Sequence, residues 1–418
     1  MAAHFKYHMI VPPESFMGRY LSYLQNQETA QAFDFWTGLF CISTACARNT
    51  WVDRPRAPVY LNMFTILVGE SGRPRKSASV SFAQRVIREL TAEDEEVGHI
   101  DAKITPEKLD ELLHLRTEEH GSAQLCITIS ELAVFLGTER YIAAMPVLLT
   151  DLYDCPSARD GGGTIARGKV VQRKVWVSFL SASTPIWLLK TVNPNVIEGG
   201  FTSRCFFIIA NDPKRPIPWP IETSPQVLRD VLDEIKIIQA EARTRGPIQI
   251  DDAAMEAFTN WYNNRPRAFD PFKQSFMARE DAHVLRVAAL LSINDGTWSV
   301  RRSHVNMAIR LIAGVREKSN DIFEGAEVQS KYAIAFDRIR ALLVSTGLDP
   351  LPRSRIFNAL RSTITRDEFM TLIEVMHEIG AIQRFMVKSE TRGRPTEYLR
   401  GTHMILERNL IEKVLDKF

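Results

Sequence analysis

The stretch Met63–Ser79, MFTILVGESGRPRKSAS, constrains the chain more than any other. Apolar and β-branched residues Phe64–Val68 lead into Gly69 and Gly72, then into Lys76-Ser77 and a helical pattern through Val80–Leu90. Strand, glycine turn, Lys-Ser, helix is the order of a phosphate-binding loop. Glycines let main-chain N–H groups converge on phosphate oxygens, lysine neutralises charge on the outer phosphates, and a serine hydroxyl can ligate Mg²⁺. The helix N-terminus adds the positive end of its dipole. Gly69, Ser71, Gly72, Arg75, Lys76 and Ser77 are therefore candidate ATP-binding residues, Ser77 also a Mg²⁺ ligand. The loop departs from G-x-x-x-x-G-K-[S/T] twice: it is one residue longer, and Arg75 stands where the last glycine belongs. Without the phosphates, the same residues also describe a strand, a turn and a basic helix start.

The chain has 418 residues, enough for two or three domains. Hydrophobic residues at 45% and charged residues at 24% are those of a globular protein. With 52 basic and 50 acidic residues the net charge is +2, so nucleic-acid contact has to use local patches. The five cysteines form no CxxC pair, which argues against a zinc site or a disulfide framework. Cys126 and Cys205 sit in apolar, strand-like runs and read as small core residues. No apolar run reaches about 18 residues and no signal-peptide core opens the chain, so no membrane contact and a reducing cytoplasm are expected.

Residues 1–59 read as an N-terminal helical region, with Ser15 capping a helix through Asn26 and a second helix over Thr29–Asn49. Residues 60–215 alternate strands (Tyr60–Val68, Val97–Ile100, Leu125–Ile129, Lys174–Ser181, Cys205–Ala210) with helices, which predicts an α/β nucleotide-binding core on a parallel sheet. After a proline-rich connector, 216–328 reads as a helical lid or bundle: Pro225–Thr244, Asp252–Asn263, Ala278–Ile293 and Ser303–Phe323. Residues 329–418 run helix, helix, helix (Lys331–Ser345, Arg353–Leu360, Arg366–Ile379), then a hairpin, the order of a winged-helix domain. Lys388, Arg392 and Arg394 fall at its wing tip, in reach of DNA phosphates.

A phosphate loop needs partners. The strand Leu125–Ile129 ends in Ser130-Glu131. Glu131 is the candidate for activating water and sharing Mg²⁺, while Ser130 replaces the usual aspartate. The reading against it makes Ser130 a helix cap. Ser181, Ser183 or Thr184, at the end of the next strand, would sense the terminal phosphate. Spacing does not choose among them, and Ser183 is carried as the candidate. Arg204, behind Gly199-Gly200, is the candidate arginine offered in trans. Arg279 is a candidate lid-borne sensor of the same nucleotide. Asp160–Lys169 is a glycine-rich loop whose Arg159, Arg167, Lys169 and Arg173 are suited to DNA phosphates.

Taken in order, the Arg-Lys-Ser loop, the strand closing on Ser130-Glu131, LSASTP (180–185) and GGFTSR (199–204) resemble the helicase-like P-loop ATPases of phages, plasmids and mobile elements. APVYLNMFTILVG (57–69) and REDAHVLRVAALL (279–291) strengthen the likeness, which spans roughly residues 12–325. The resemblance implies a RecA-like or AAA+-like core, ATP and Mg²⁺ as cofactors, and a homo-oligomer, usually a hexameric ring, on single-stranded DNA. It implies matching positions for Lys76, Ser77, Glu131 and Arg204, and a channel-facing role for the 160–169 loop. The expected activity is that of a replicative helicase motor. The alternatives are an ATP-switched DNA-binding assembly factor (replication initiator, helicase loader, transposition or defence ATPase) and a P-loop scaffold that does not hydrolyse ATP.

Overall fold

A computed structural model describes residues 7–55, 57–92, 96–136, 144–161, 170–191, 200–219, 224–265, 277–347, 349–387, 396–406 and 414. The chain divides into two units, Met1–Asn320 and Asp321–Phe418.

The first unit is built on five parallel strands: β1 (Phe64–Val68), β2 (Val97–Ile100), β3 (Gln124–Ile129), β4 (Trp176–Ser183) and β5 (Cys205–Ile209). Their order across the sheet is β2-β3-β4-β1-β5. Every residue of β1, β3 and β4 is buried, as expected of parallel strands covered on both faces. This mixed α/β architecture is compatible with a Rossmann- or RecA-like core. Cys126 and Cys205 lie buried within it, as expected, and all five cysteines are buried and free.

The strand expected over Tyr60–Val68 is broken. Val59–Tyr60 belongs to a different sheet from β1. The break falls at Asn62, whose side-chain amide leaves the ladder to donate to the carbonyls of Tyr153 (2.9 Å) and Val177 (3.2 Å). The smaller sheet joins parts of the sequence expected to be separate. Thr50–Val52 pairs in parallel with Gly246–Ile250, which pairs in parallel with Ser299–Val300. The N-terminal region and the helices after residue 216 are thus one folded body with the core.

Ser15 caps Phe16–Tyr23 as expected, its side chain accepting from the Gly18 N–H. The next helix, Gln31–Cys46, buries nearly every residue and passes beneath the sheet, with Trp36 against Phe206 at 5.5 Å between ring centres. It carries Asp34, 1% exposed, into the interior. Asp34 accepts from Lys214 Nζ (2.8 Å), Thr29 Oγ1 (2.7 Å) and Ser79 Oγ (3.2 Å). Burial pushes its carboxyl up, against the pull of Lys214.

Ser303–Phe323 and Lys331–Ser345, expected as two helices, are one helix, Arg302–Ser345. It contains no proline, and the isolated Gly325 costs too little to end it. The second unit continues with helices Arg353–Leu360 and Arg366–Glu378 and an antiparallel hairpin, Ile382–Val387 with Thr396–Gly401, which Leu351–Pro352 extends to three strands. Thr365 and Glu368 close a capping box at the start of the second of these helices. Phe336, Ile356, Phe369, Leu372 and Leu399 form the unit's own core. Among the described residues no helix is long and apolar enough to cross a membrane.

Candidate functional site

The glycine loop leaves the C-terminal end of β1, between β4 and β5, and enters the helix Lys76–Ala92. Its first glycine is a steric requirement: a Cβ on Gly69 would lie 2.4 Å from the Ala210 carbonyl oxygen. The Gly69 N–H donates to the Ser183 carbonyl (3.3 Å), which ties the loop to the end of β4. Gly72 has a φ of +82°. Arg75 has a φ of +50°, the left-handed conformation that glycine adopts without cost. The arginine therefore replaces the last glycine of the motif while keeping a glycine-like backbone. Its side chain pairs with Glu28 at 3.1 Å.

Lys76 folds back over the loop. Its ammonium donates to the carbonyls of Gly69 (2.6 Å) and Glu70 (2.8 Å). Burial lowers its pKa, and the charges of Glu70 and Glu131 oppose that shift. Glu131 thus reaches the loop electrostatically although β4 lies between its strand and β1. It is solvent-exposed at the start of the short helix Leu132–Leu136. Ser71, Gly72 and Ser77 are exposed.

The three candidate sensors separate by geometry. Ser181 is fully buried, and its hydroxyl finds no partner among the described residues. Thr184 Oγ1 accepts from the Trp187 N–H and so caps the following helix. Ser183 sits at the end of β4, in register with Val68 and bonded to the loop through its carbonyl. Lys76, Glu131 and Ser183 are thereby gathered at one end of the sheet. The ammonium rests on loop carbonyls where phosphate oxygens could replace them, and the exposed Ser77 beside it can take a metal ion bound to those phosphates. Among the described residues, no three His, Cys, Asp or Glu side chains gather to hold a metal by themselves.

Arg279 shares a partner with Arg204. It starts the helix Glu280–Asn294 and donates to both oxygens of Asp154, at 2.6 and 3.1 Å. Asp154 follows Tyr153, whose carbonyl is held by Asn62 just ahead of β1, so this group lies at the N-terminal end of the sheet. Five strand residues of about 3.3 Å each separate it from the chain's own glycine loop. Arg204, just ahead of β5, bonds the same carboxylate at 3.3 Å. Sequence reading missed Asp154. A signal was present: an acid just past a helix C-terminus opposes the helix dipole and calls for a compensating partner.

Arg159 is a correction. It is 17% exposed and committed to Asp110 (2.6 Å) and the Gln172 side chain (3.0 Å), so it fixes a ribbon and does not offer charge to DNA. That ribbon pairs Ala158–Gly161 with Val170–Arg173, and Arg173 at its foot is exposed. Arg167, Lys169, Lys388, Arg392 and Arg394 lie outside the described residues. In the second unit, the helix Arg366–Glu378 exposes Asp367, Glu374 and Glu378 against Arg366, a charge balance that disfavours insertion into a DNA groove.

No known family model and no curated protein sequence matches the chain.

Proposed function

We propose that the chain is an ATP-dependent DNA motor of the helicase type, working as an oligomeric ring on single-stranded DNA. The observation that carries the reading is the convergence of Lys76, Glu131 and Ser183 on one end of a parallel sheet, around a loop in which Arg75 keeps a glycine's backbone. In this reading the N–H groups between Gly69 and Ser77 and the Lys76 ammonium hold the phosphates. Ser77 and Glu131 would hold Mg²⁺, which neutralises charge developing between the outer phosphates. Glu131 accepts a proton from the attacking water, and Ser183 contacts the terminal phosphate. Arg204 serves a neighbouring copy, because it stands at the far end of the sheet from its own loop.

The second unit's helices and hairpin support a winged-helix reading. The acidic face of Arg366–Glu378 favours a motor over a factor that reads one duplex sequence with that helix. The test is ATP turnover with and without single-stranded DNA, beside Glu131→Gln. We expect DNA-stimulated hydrolysis that falls by about 10²–10⁴ in the variant while nucleotide binding persists. Equal, near-zero rates in both proteins would mark the loop as a scaffold. A footprint on one duplex without strand separation would favour the assembly factor.

A further inference from the structure

The segment that follows β5, residues 210–219, runs beside the glycine loop and is tied to it. Asp212 pairs with Arg73 of the loop at 2.9 Å, and Glu28 accepts from both Arg75 and the Ile217 N–H (3.4 Å). Arg215 donates to the Gln25 carbonyl and to the Asn26 side chain, each at 3.2 Å. These bonds leave the remaining side chains in solvent. Arg215, Pro216, Pro218 and Trp219 are exposed, and Trp219, at 86%, is the most exposed large hydrophobic side chain among the described residues. A single exposed apolar residue calls for no explanation. This one, however, is presented on a prepared backbone. Pro216 and Pro218 fix φ on either side of the tethered Ile217, so little chain freedom is lost when a partner buries Trp219.

A matching concavity lies at the opposite end of the sheet. A cleft of about 800 Å³ is lined by Tyr60, Tyr262, Asp154 and Asp281, together with Arg54 and Arg279. Tyr262, on the helix Asp252–Asn264, is 41% exposed. Arg286, buried and bonded to the Tyr153 hydroxyl at 2.6 Å, belongs to the cleft floor. The two partly exposed guanidiniums already have acids: Arg279 bonds Asp154, and Arg54 bonds Asp281 at 3.0 Å. Of the charged groups in the cleft, Asp154 is the most exposed, at 54%. Burial raises its pKa, but Arg279 and Arg204 outweigh that and leave it below the usual carboxylate range, so it is an anion at neutral pH. Tyrosine rings beside a carboxylate suit a proline-rich segment flanked by arginine: the rings pack on the pyrrolidines and the acid takes the guanidinium. An indole adds a face for the cleft's arginines and an N–H for its acids.

One copy does not fill its own cleft. The Trp219 backbone lies two residues beyond the Ile217–Glu28 bond, at most about 7 Å away. The five residues of β1 alone put about 17 Å between the two ends of the sheet. In a head-to-tail association, the loop end of one copy meets the opposite end of the next. We infer that residues 215–219 of one copy dock in the tyrosine-lined cleft of a second copy, with Trp219 as the buried anchor and Arg215 against the Asp154 carboxylate. The inference rests on the proposed association of copies and not on ATP hydrolysis.

The experiment follows association of the full-length chain by sedimentation velocity over a concentration series, with and without an ATP analogue. Wild type is compared with Trp219→Ala, Tyr262→Ala and Arg215→Glu, each an exposed position, with the thermal midpoint as the check on folding. Each substitution should raise the concentration for half-association at least about tenfold, the last by setting a second acid against Asp154. Mixing two variants tests the direction of the contact. Trp219→Ala keeps an intact cleft and Tyr262→Ala an intact anchor, so a mixed pair has one working contact and should stop at dimers where wild type grows further. A mixture that grows beyond dimers would overturn the head-to-tail pairing. Trp219→Ala and Arg215→Glu that associate at wild-type concentrations would overturn the inference. Unchanged association with weakened binding of an oligo-dT strand would also overturn it and assign Trp219 to base stacking. Wild type that stays monomeric under every condition would remove the oligomer reading itself, and this inference with it.

Discussion

The two ends of the five-stranded sheet hold their cations differently. At the loop end, Lys76 bonds main-chain carbonyls of its own loop, and exposed residues surround it. At the opposite end, Arg279 and Arg286 bond side chains more than a hundred residues away in sequence, and Arg204 bonds the same Asp154 carboxylate as Arg279. Hydrogen bonds from a lysine to its own loop are replaced at little cost when a ligand arrives. Bonds among the buried Arg286, the partly buried Arg204 and Arg279, a tyrosine and a half-exposed carboxylate hold a fixed shape whether or not a ligand is present. The loop end is organised to change partners, and the far end is organised to keep its geometry.

That contrast predicts where mutations register. Lys76→Ala should cut ATP turnover by at least about a hundredfold while leaving the thermal midpoint nearly unchanged, measured by phosphate release beside thermal unfolding. A comparable loss of stability would break the contrast. Tyr153→Phe should do the reverse. It strips Arg286, 3% exposed, and His283 of a shared buried partner and should cost about 1–3 kcal/mol in denaturant unfolding.

A pH series sharpens the comparison between the sheet's loop end and its edge. His99, bonded to Thr128 Oγ1 at 2.7 Å, has its pKa lowered by burial from 6.5 to about 4. As pH falls through 6.5 the unfolded chain takes up this proton first, so stability is lost down to about pH 4 and no further below it. After allowance for solvent screening the loss is at most about 2 kcal/mol, read as the difference between wild type and His99→Gln across that window. The smallest effect belongs to Arg75→Gly. Relief of the left-handed backbone is offset by chain entropy and by the exposed Glu28 pair, so stability should change by less than about 1 kcal/mol. A much larger change would mean that Arg75 does more in the folded loop than occupy a glycine's conformation.

The core was legible because long apolar runs such as Leu125–Ile129 and Cys205–Ala210 can be satisfied by few structures other than covered parallel strands. The Lys76–Glu131 proximity was legible for the same reason: the sequence marks both strand ends. The small sheet was not, because Thr50–Val52 is too short to carry a period and its partner lies almost two hundred residues away. Arg159 was misread because the residue that neutralises it, Asp110, sits on a separate helix and no local pattern announces the pairing. That Arg204 and Arg279 meet on Asp154 was not legible, because helix periodicity gives a face and not a position. Ser183 emerged from three candidates only once the register with Val68 was known.

The parallel pairing of Thr50–Val52 with Gly246–Ile250 has a consequence for biosynthesis. A strand made early must wait for one made much later, and that strand in turn pairs with Ser299–Val300. During translation the core strands emerge well before the pieces that complete the body around them, so the growing chain spends that interval with Thr50–Val52 paired only to Val59–Tyr60 and its other edge open. Fragments cut at residue 215 to isolate the five-stranded core would make this transient state permanent, and aggregation is their expected fate.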